Sequence, residues 1–300
     1  MSLRVERLVV VGVGLIGGSV ALALKARGAV GEVVGVGRSR GNLDDALRAG
    51  VVDRAATLDE RWTDEVARAD AVVVAAPVAQ YPALFRAIAP ALPPQAFVTD
   101  AGSTKQDVVA AARAHLGGAF PRFVPGHPIA GTERSGAAAA FASLYEGRRV
   151  ILTPEPDTGA AAVAAVTALW EACGARVLTL TAERHDRIYA AVSHFPHMLA
   201  AAYMAGIAGR PDAGEITSYA GTGFRDVTRV AAASPEMWRD IGMANRAALL
   251  DELAAFRGPL DALEAALRNG DATKLEALLA VAAWARRSWA ANRDDPGAVE

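Results

Sequence analysis

The chain holds one cysteine, Cys173. That excludes an internal disulfide and any multi-cysteine metal site, and it fits a reducing cytoplasm. Neither sign of charge is in excess, with Lys plus Arg at 31 against Asp plus Glu at 33, and no basic tract or acidic tail stands out. This argues against nucleic acid as a partner. A bilayer-spanning run is also missing. The opening "MSLRVERLVVVGVGLIGGSVALAL" is apolar for a long way, but glycines punctuate it and Lys25 and Arg27 follow too soon. It has no small-residue cleavage site behind a short apolar core either, so no membrane or targeting segment is expected. After residue 150 the sole lysine is Lys274. What remains is 300 residues, 52% hydrophobic and 21% charged, enough to bury the core of one large or two medium domains.

Short β-branched runs occur at 6–11, 32–36, 71–76, 96–100, 148–152 and 175–180. Alanine-rich stretches of helical periodicity lie between most of them. Such alternation predicts an α/β domain over 1–181, with an open, mostly parallel Rossmann-type sheet covered on both faces. The strand runs then stop, and residues 182–300 read as all-helical. One long helix is expected from Thr181 to about residue 209, and further helices start at Ser234 and Asp271. Gly258-Pro259 and Asn269-Gly270 read as breaks. These helices carry more apolar surface than a small bundle can hide, so the second domain is expected to form a homodimer. Met198, Tyr203, Met204 and Trp284 read as core positions.

"VVVGVGLIGGS" sets Gly12, Gly14 and Gly17 in the G-x-G-x-x-G spacing, with Leu15 and Ile16 between them, after one strand and at the head of a helix. Gly12 permits the tight turn, Gly14 the approach of a pyrophosphate, and Gly17 close packing of helix on sheet. The helix N-terminus then receives the phosphates. Ala76 and Pro77, where the run at 71–76 ends, belong to the same cofactor edge. Where an NAD-binding chain presents an acid to the ribose, this one has Gly37, Arg38, Ser39 and Arg40. With no acid to repel a 2′-phosphate and two guanidinium groups to bind it, NADP is expected in preference to NAD. The alternative is that Arg38 only stacks on the adenine.

Ligands of such sheets lie beyond the carboxyl ends of the strands. "TDAGSTK" brings Ser103 there and "PGHPIAGTERSG" brings His127, flanked by Gly126 and Pro128. The residues alone leave His127 open between a turn-capping histidine and one fixed over a pocket. In "SHFPH", His194 and His197 share a helix face, and a two-histidine metal site lacks a suitably spaced carboxylate, so no metal is expected. His115 and His185 sit in no motif and read as solvated helix residues.

Five stretches in order, "GVGLIGGS", "TDAGSTK", "GHPIAGTERSG", "SHFPH" and "GFRDVTRVAAASPEMWRDI", resemble the prephenate/arogenate (cyclohexadienyl) dehydrogenase family over nearly the whole length. The resemblance implies oxidative decarboxylation of a cyclohexadienyl carboxylate with NADP or NAD, in tyrosine biosynthesis. It implies that His127 takes the proton of the ring hydroxyl and that Ser103 helps hold that hydroxyl. It implies that Arg229 grips the ring carboxylate, and that His197 and Glu133 lie in the substrate pocket. Asp226 and Trp238 are implied at the pocket mouth, contributed across a dimer interface. Arg225 either assists Arg229 or pairs with Asp226. His197 tilts the substrate toward prephenate over arogenate. Two other readings are a β-hydroxyacid dehydrogenase, disfavoured because Lys274 alone could supply its helical-domain lysine, and a non-catalytic NADP-sensing dimer.

Overall fold

The computed structural model describes residues 4–132 and 134–293, with side chains to residue 291. Its strands are β1 (Val5–Val11), β2 (Val30–Gly37), β3 (Arg54–Thr57), β4 (Ala71–Val74), β5 (Phe97–Asp100), β6 (Phe123–Val124), β7 (Gly126–Pro128), β8 (Arg149–Leu152) and β9 (Arg176–Thr179). The first six form one parallel sheet in the order β3-β2-β1-β4-β5-β6, the doubly wound arrangement of dinucleotide-binding domains. The runs at 148–152 and 175–180 do not extend that sheet. They form a second one, β7-β8-β9, in which β7 is antiparallel to β8. Only Pro125 separates β6 from β7, so the chain changes sheets at the residue before Gly126.

Alternation along β1 explains the layering. Leu8 and Val10 face a core shared with helices Leu15–Ala26 and Ala160–Ala172, while Val9 and Val11 face helices Tyr81–Ile88 and Gln106–Leu116. Both faces are buried, as a parallel sheet requires, and each fully buried Val, Leu or Phe contributes ~1.5–3 kcal/mol. Cys173 lies in the first of these cores, and burial pushes its thiol up to about 12, so it is an inert packing residue.

The helical half departs from expectation in two places. The segment after Thr181 is not one uniform α-helix. Thr181 caps it by accepting from the Arg184 N–H at 3.2 Å, but helix Ala182–Tyr189 passes through a π-turn, Ala190–His194, before helix Phe195–Ala208. Pro196 has no N–H to return to the preceding turn, and the wider π-turn just before it accommodates that loss. Gly258-Pro259 is not a break, since helix Arg246–Arg268 runs through it. Asn269-Gly270 is one, with Gly270 at φ +63°, and Asp271 starts helix Ala272–Arg293 by accepting from the Lys274 N–H at 2.9 Å.

The chain divides into two compact units, Met1–Ala248 and Leu249–Glu300. The first joins both sheets to the helices up to residue 248. The second presents Leu267, Leu279, Val281 and Trp284 more than half exposed, so Trp284 is a surface residue of the single chain rather than core; Tyr203 of the first unit is likewise exposed. No helix among the described residues is long and apolar enough to cross a membrane.

Candidate active site

The glycine loop follows β1 directly. Gly12 has φ +100°, and a Cβ there would stand 2.5 Å from the Ala75 carbonyl oxygen and 2.8 Å from the Ala76 nitrogen. The loop therefore packs on the chain leaving β4, which brings Ala76 and Pro77 beside it. Gly17 is equally closed, against the Gly12 carbonyl. Gly14 differs: a Cβ there would meet no atom within 4 Å, and helix Leu15–Ala26 has no side-chain cap on its N-terminus. An open approach over uncapped N–H groups is what a pyrophosphate needs, so the residues fit the dinucleotide that the motif implies. Asn42, which no motif marks, braces the loop. Its Nδ2 donates to the Val13 carbonyl at 2.6 Å and its Oδ1 accepts from the Ala137 N–H at 2.9 Å. Ser39 caps helix Arg40–Arg48, Arg38 is exposed at the end of β2, and Arg40 lies 3.5 Å from both Asp44 and Glu60.

His127 sits in the middle of β7, opposite Ile151 of β8. Its neighbour Gly126 is held from both ends. The Gly126 N–H donates to Asp100 Oδ1 at 2.9 Å, and its carbonyl accepts from Lys105 Nζ at 2.7 Å. Lys105 and Asp100 themselves pair at 2.5 Å with no exposed surface, and Asp100 also accepts from the Gly102 N–H at 2.7 Å. A side chain at 126 would strike the Asp100 carbonyl oxygen at 2.9 Å, which is why glycine precedes the histidine. Ser103 lies half-buried between Gly102 and Lys105 on the same loop.

Behind His127 stands a residue that motif reading places in solvent. His185 has no exposed surface, its Nε2 lies 2.8 Å from His127 Nδ1, and its Nδ1 lies 2.8 Å from Asp186 Oδ1. Asp186 accepts in turn from the backbone N–H groups of Lys105 (2.8 Å) and Gln106 (2.9 Å) at the head of helix Gln106–Leu116. Tyr189 packs against both rings, its centroid 4.9 Å from that of His127 and 4.5 Å from that of His185. Burial, followed by the neighbouring His185, Lys105 and His194, holds the His127 pKa well below the ordinary histidine value. His127 is therefore neutral near pH 7, the form a base needs. Burial also lowers His185. Burial alone would raise Asp186, but the bonds from His185 and the Gln106 and Lys105 amides outweigh it and keep the carboxyl low.

The helical side contributes a second group. His197 donates Nδ1–H to the Ser193 carbonyl at 2.9 Å and stacks on Trp238 with centroids 3.7 Å apart and planes at 21°. Burial lowers the His197 pKa, opposed by that carbonyl and assisted by the nearby Arg229 guanidinium. Trp238 thus meets His197 of its own chain. His194 is buried and pushed down to about 4, chiefly by desolvation. Its Nδ1 lies 3.1 Å from Asn245 Nδ2, which also donates to the Asp186 backbone carbonyl at 2.8 Å, so His194 is the structural support expected of it. Asn245 belongs to no motif. Arg225 and Asp226 are exposed and approach each other at 3.7 Å. Glu133 lies outside the described residues.

Residues 20–179 match the family described as prephenate dehydrogenase, nucleotide-binding domain, and residues 181–281 match prephenate dehydrogenase, dimerization domain. The chain belongs to the prephenate dehydrogenase family. A cyclohexadienyl dehydrogenase of Zymomonas mobilis is 36% identical over 272 residues, 89% of this chain and 90% of that one. A prephenate dehydrogenase of Bacillus subtilis is 34% identical over 277 residues, 92% of this chain and 74% of its relative. Among solved structures, prephenate dehydrogenase of Aquifex aeolicus in complex with hydroxyphenyl propionate and NAD+ superposes with a TM-score of 0.89 at 32% identity, covering 96% of this chain and 99% of that one. As a prephenate dehydrogenase family member the protein is a nicotinamide-dependent oxidoreductase with a Rossmann-type nucleotide-binding domain followed by a helical dimerisation domain, and the β-hydroxyacid dehydrogenase reading falls away.

Proposed function

We propose that the protein oxidatively decarboxylates prephenate, arogenate or both, giving 4-hydroxyphenylpyruvate or tyrosine, with His127 as the base that takes the ring hydroxyl proton. One observation supports this above the others: His127 is neutral, half-buried and fixed through Gly126 at the carboxyl edge of the dinucleotide-binding sheet. When bound, the nicotinamide supplies the hydride acceptor. The chain's residues do the rest. Gly12, Gly14, Leu15, Ile16 and Gly17, with Ala76 and Pro77, hold the cofactor, and His127 accepts the hydroxyl proton as the bearing carbon loses its hydride. Carbon dioxide leaves the opposite ring carbon, the ring becomes aromatic, and the proton on His127 can return to the ring oxygen. Aromatisation drives the reaction, so positioning and one base suffice. Ser103 holds the hydroxyl, Arg229 grips the ring carboxylate as a planar fork, and His197, stacked on Trp238, lines the pocket with Glu133. Asp226 and Trp238 stand at its mouth, and Arg225 either assists Arg229 or pairs with Asp226.

NADP is the preferred dinucleotide in this reading, because β2 is followed by Arg38, Ser39 and Arg40 rather than an acid. The active form is a homodimer in the cytoplasm, built through the exposed apolar side chains of residues 182–300, while 1–181 carries the cofactor. The test is a direct assay of prephenate and arogenate with each cofactor, run on the wild type, Arg38→Ala and Arg40→Ala. Turnover of neither substrate, with dinucleotide binding kept, would favour the NADP-sensing alternative. Equal or tighter NAD use by the wild type would reverse the cofactor choice.

A further inference from the structure

The hydrogen bonds behind His127 do more than anchor it. We propose that Asp186 and His185 act as positioning residues that lock His127 in its Nδ1–H tautomer, so that Nε2 is the atom that removes the substrate proton. The inference rests on His127 being the base.

The bonds constrain one another from the carboxylate outward. Asp186 accepts the Lys105 and Gln106 amide N–H groups at the head of an eleven-residue helix, whose positive end favours an ionised group. An ionised carboxylate only accepts. Its Oδ1 lies 2.8 Å from His185 Nδ1, so that nitrogen carries the hydrogen. His185 is buried and neutral, which leaves its Nε2 bare and able only to accept. That Nε2 lies 2.8 Å from His127 Nδ1, so Nδ1 of His127 must donate. A neutral imidazole has one hydrogen, and the lone pair therefore sits on Nε2. One carboxylate thus sets the protonation of two rings in series.

The same chain of bonds supports the charge that follows. Once His127 Nε2 gains a proton, its Nδ1–H still donates to His185, and the Asp186 carboxylate stands behind at one ring's remove. No proton needs to leave His185. The other charged or titratable groups facing this pair are Lys105, whose Nζ is paired with Asp100 at 2.5 Å, His194, which is neutral, and Tyr189, whose phenol burial pushes up to about 12 so that it too is neutral. The arrangement performs the orienting role of the aspartate in a Ser-His-Asp triad, with one extra imidazole interposed.

Two variants separate this role from packing. His185→Gln keeps a donor and an acceptor for its two neighbours but loses the ring against Tyr189. His185→Phe keeps the ring and loses both polar atoms. The expected result is a fall in kcat of about 100-fold for His185→Phe, with cofactor KM unchanged, and recovery to within about tenfold of wild type for His185→Gln. Equal or better kcat in the Phe variant would show a packing role and overturn the proposal. A readout that needs no substrate is the nitrogen-15 imidazole spectrum near pH 7.5, with His127 assigned by its loss in His127→Asn. It should show a protonated Nδ1 and a bare Nε2 in the wild type, and the reverse tautomer would overturn the relay. Failure of the proposed function would show itself differently, as no turnover of either substrate by a wild type whose His127 tautomer is as stated.

Discussion

Gly126 has both backbone polar groups bonded within a cluster whose ion pair is fully buried, whereas the Arg225 and Asp226 side chains are about three-quarters exposed and meet at 3.7 Å. The sheet side of the site is finished before substrate arrives. The helical side offers a stacked His197–Trp238 pair and an exposed Arg229. The contrast matches the work proposed for each. A base must be neutral, correctly protonated and aimed before reaction, and only buried, fully bonded surroundings secure that. A carboxylate clamp must admit and release a charged ring, so exposure and a long side chain serve it better.

The comparison breaks first at His127. His127→Asn keeps a polar side chain of similar reach but no base, and kcat should fall about 1000-fold, within the range for general-base loss, while cofactor affinity stays. A near-normal rate would mean the sheet side is not the catalytic side. Next is the pair beneath it. Lys105→Met leaves the Asp100 carboxylate uncompensated in a fully buried place, and the cost should be ~3–5 kcal/mol of stability in urea unfolding. Loss of less than about 1 kcal/mol would show that Gly126 is held by other means.

Acid should find the same weakness. Burial keeps His127, His185 and His194 neutral in the folded chain, the last with its pKa pushed to about 4, whereas the unfolded chain titrates near 6.5. Below pH ~6.5 the unfolded state binds protons that the native state refuses, so stability is complete above that pH and declines as pH falls toward about 4. His194 alone contributes a decline of at most ~3 kcal/mol. Denaturant midpoints measured between pH 7.5 and 4.5 would show it, and His194→Gln should flatten the slope. An unchanged slope in that variant would mean the ring titrates in the folded chain as it does in the unfolded one.

The two sides are also unequally legible in the sequence. His127 stands out because Gly126 and Pro128 bracket it, and the glycine loop because steric needs fix its spacing. The strand runs of the main sheet are legible for a related reason, since β-branched residues buried on both faces leave an uninterrupted apolar signal. β3 is "RAAT" on an edge, β6 has two residues and β7 contains a proline, so none carries that signal. His185 looks solvated in sequence because its burial is decided far away. Asp186, next to it, is bonded to amides some eighty positions earlier, and no local periodicity records that. Asn245 and Asn42 escape notice for the same reason, each bridging segments distant in sequence.

Smaller effects test the exposed side. Arg229→Lys keeps the charge but loses the fork, so substrate KM should rise about 10- to 100-fold with kcat little changed, as for a contact made equally in ground and transition states. Equal loss in kcat would move Arg229 into the chemical step.

Arg225 should matter least. Its contact with Asp226 joins neighbouring residues, spans 3.7 Å and lies in solvent, where such pairs contribute nearly nothing and salt screens what is left. Arg225→Ala should therefore leave unfolding midpoints unchanged within error and shift substrate KM less than about twofold. If KM instead rises tenfold and Asp226→Asn does not reproduce it, Arg225 is holding a substrate carboxylate beside Arg229. The helical side would then be a two-arginine clamp, and its loosely tied residues would serve the substrate as directly as the buried ones serve the base.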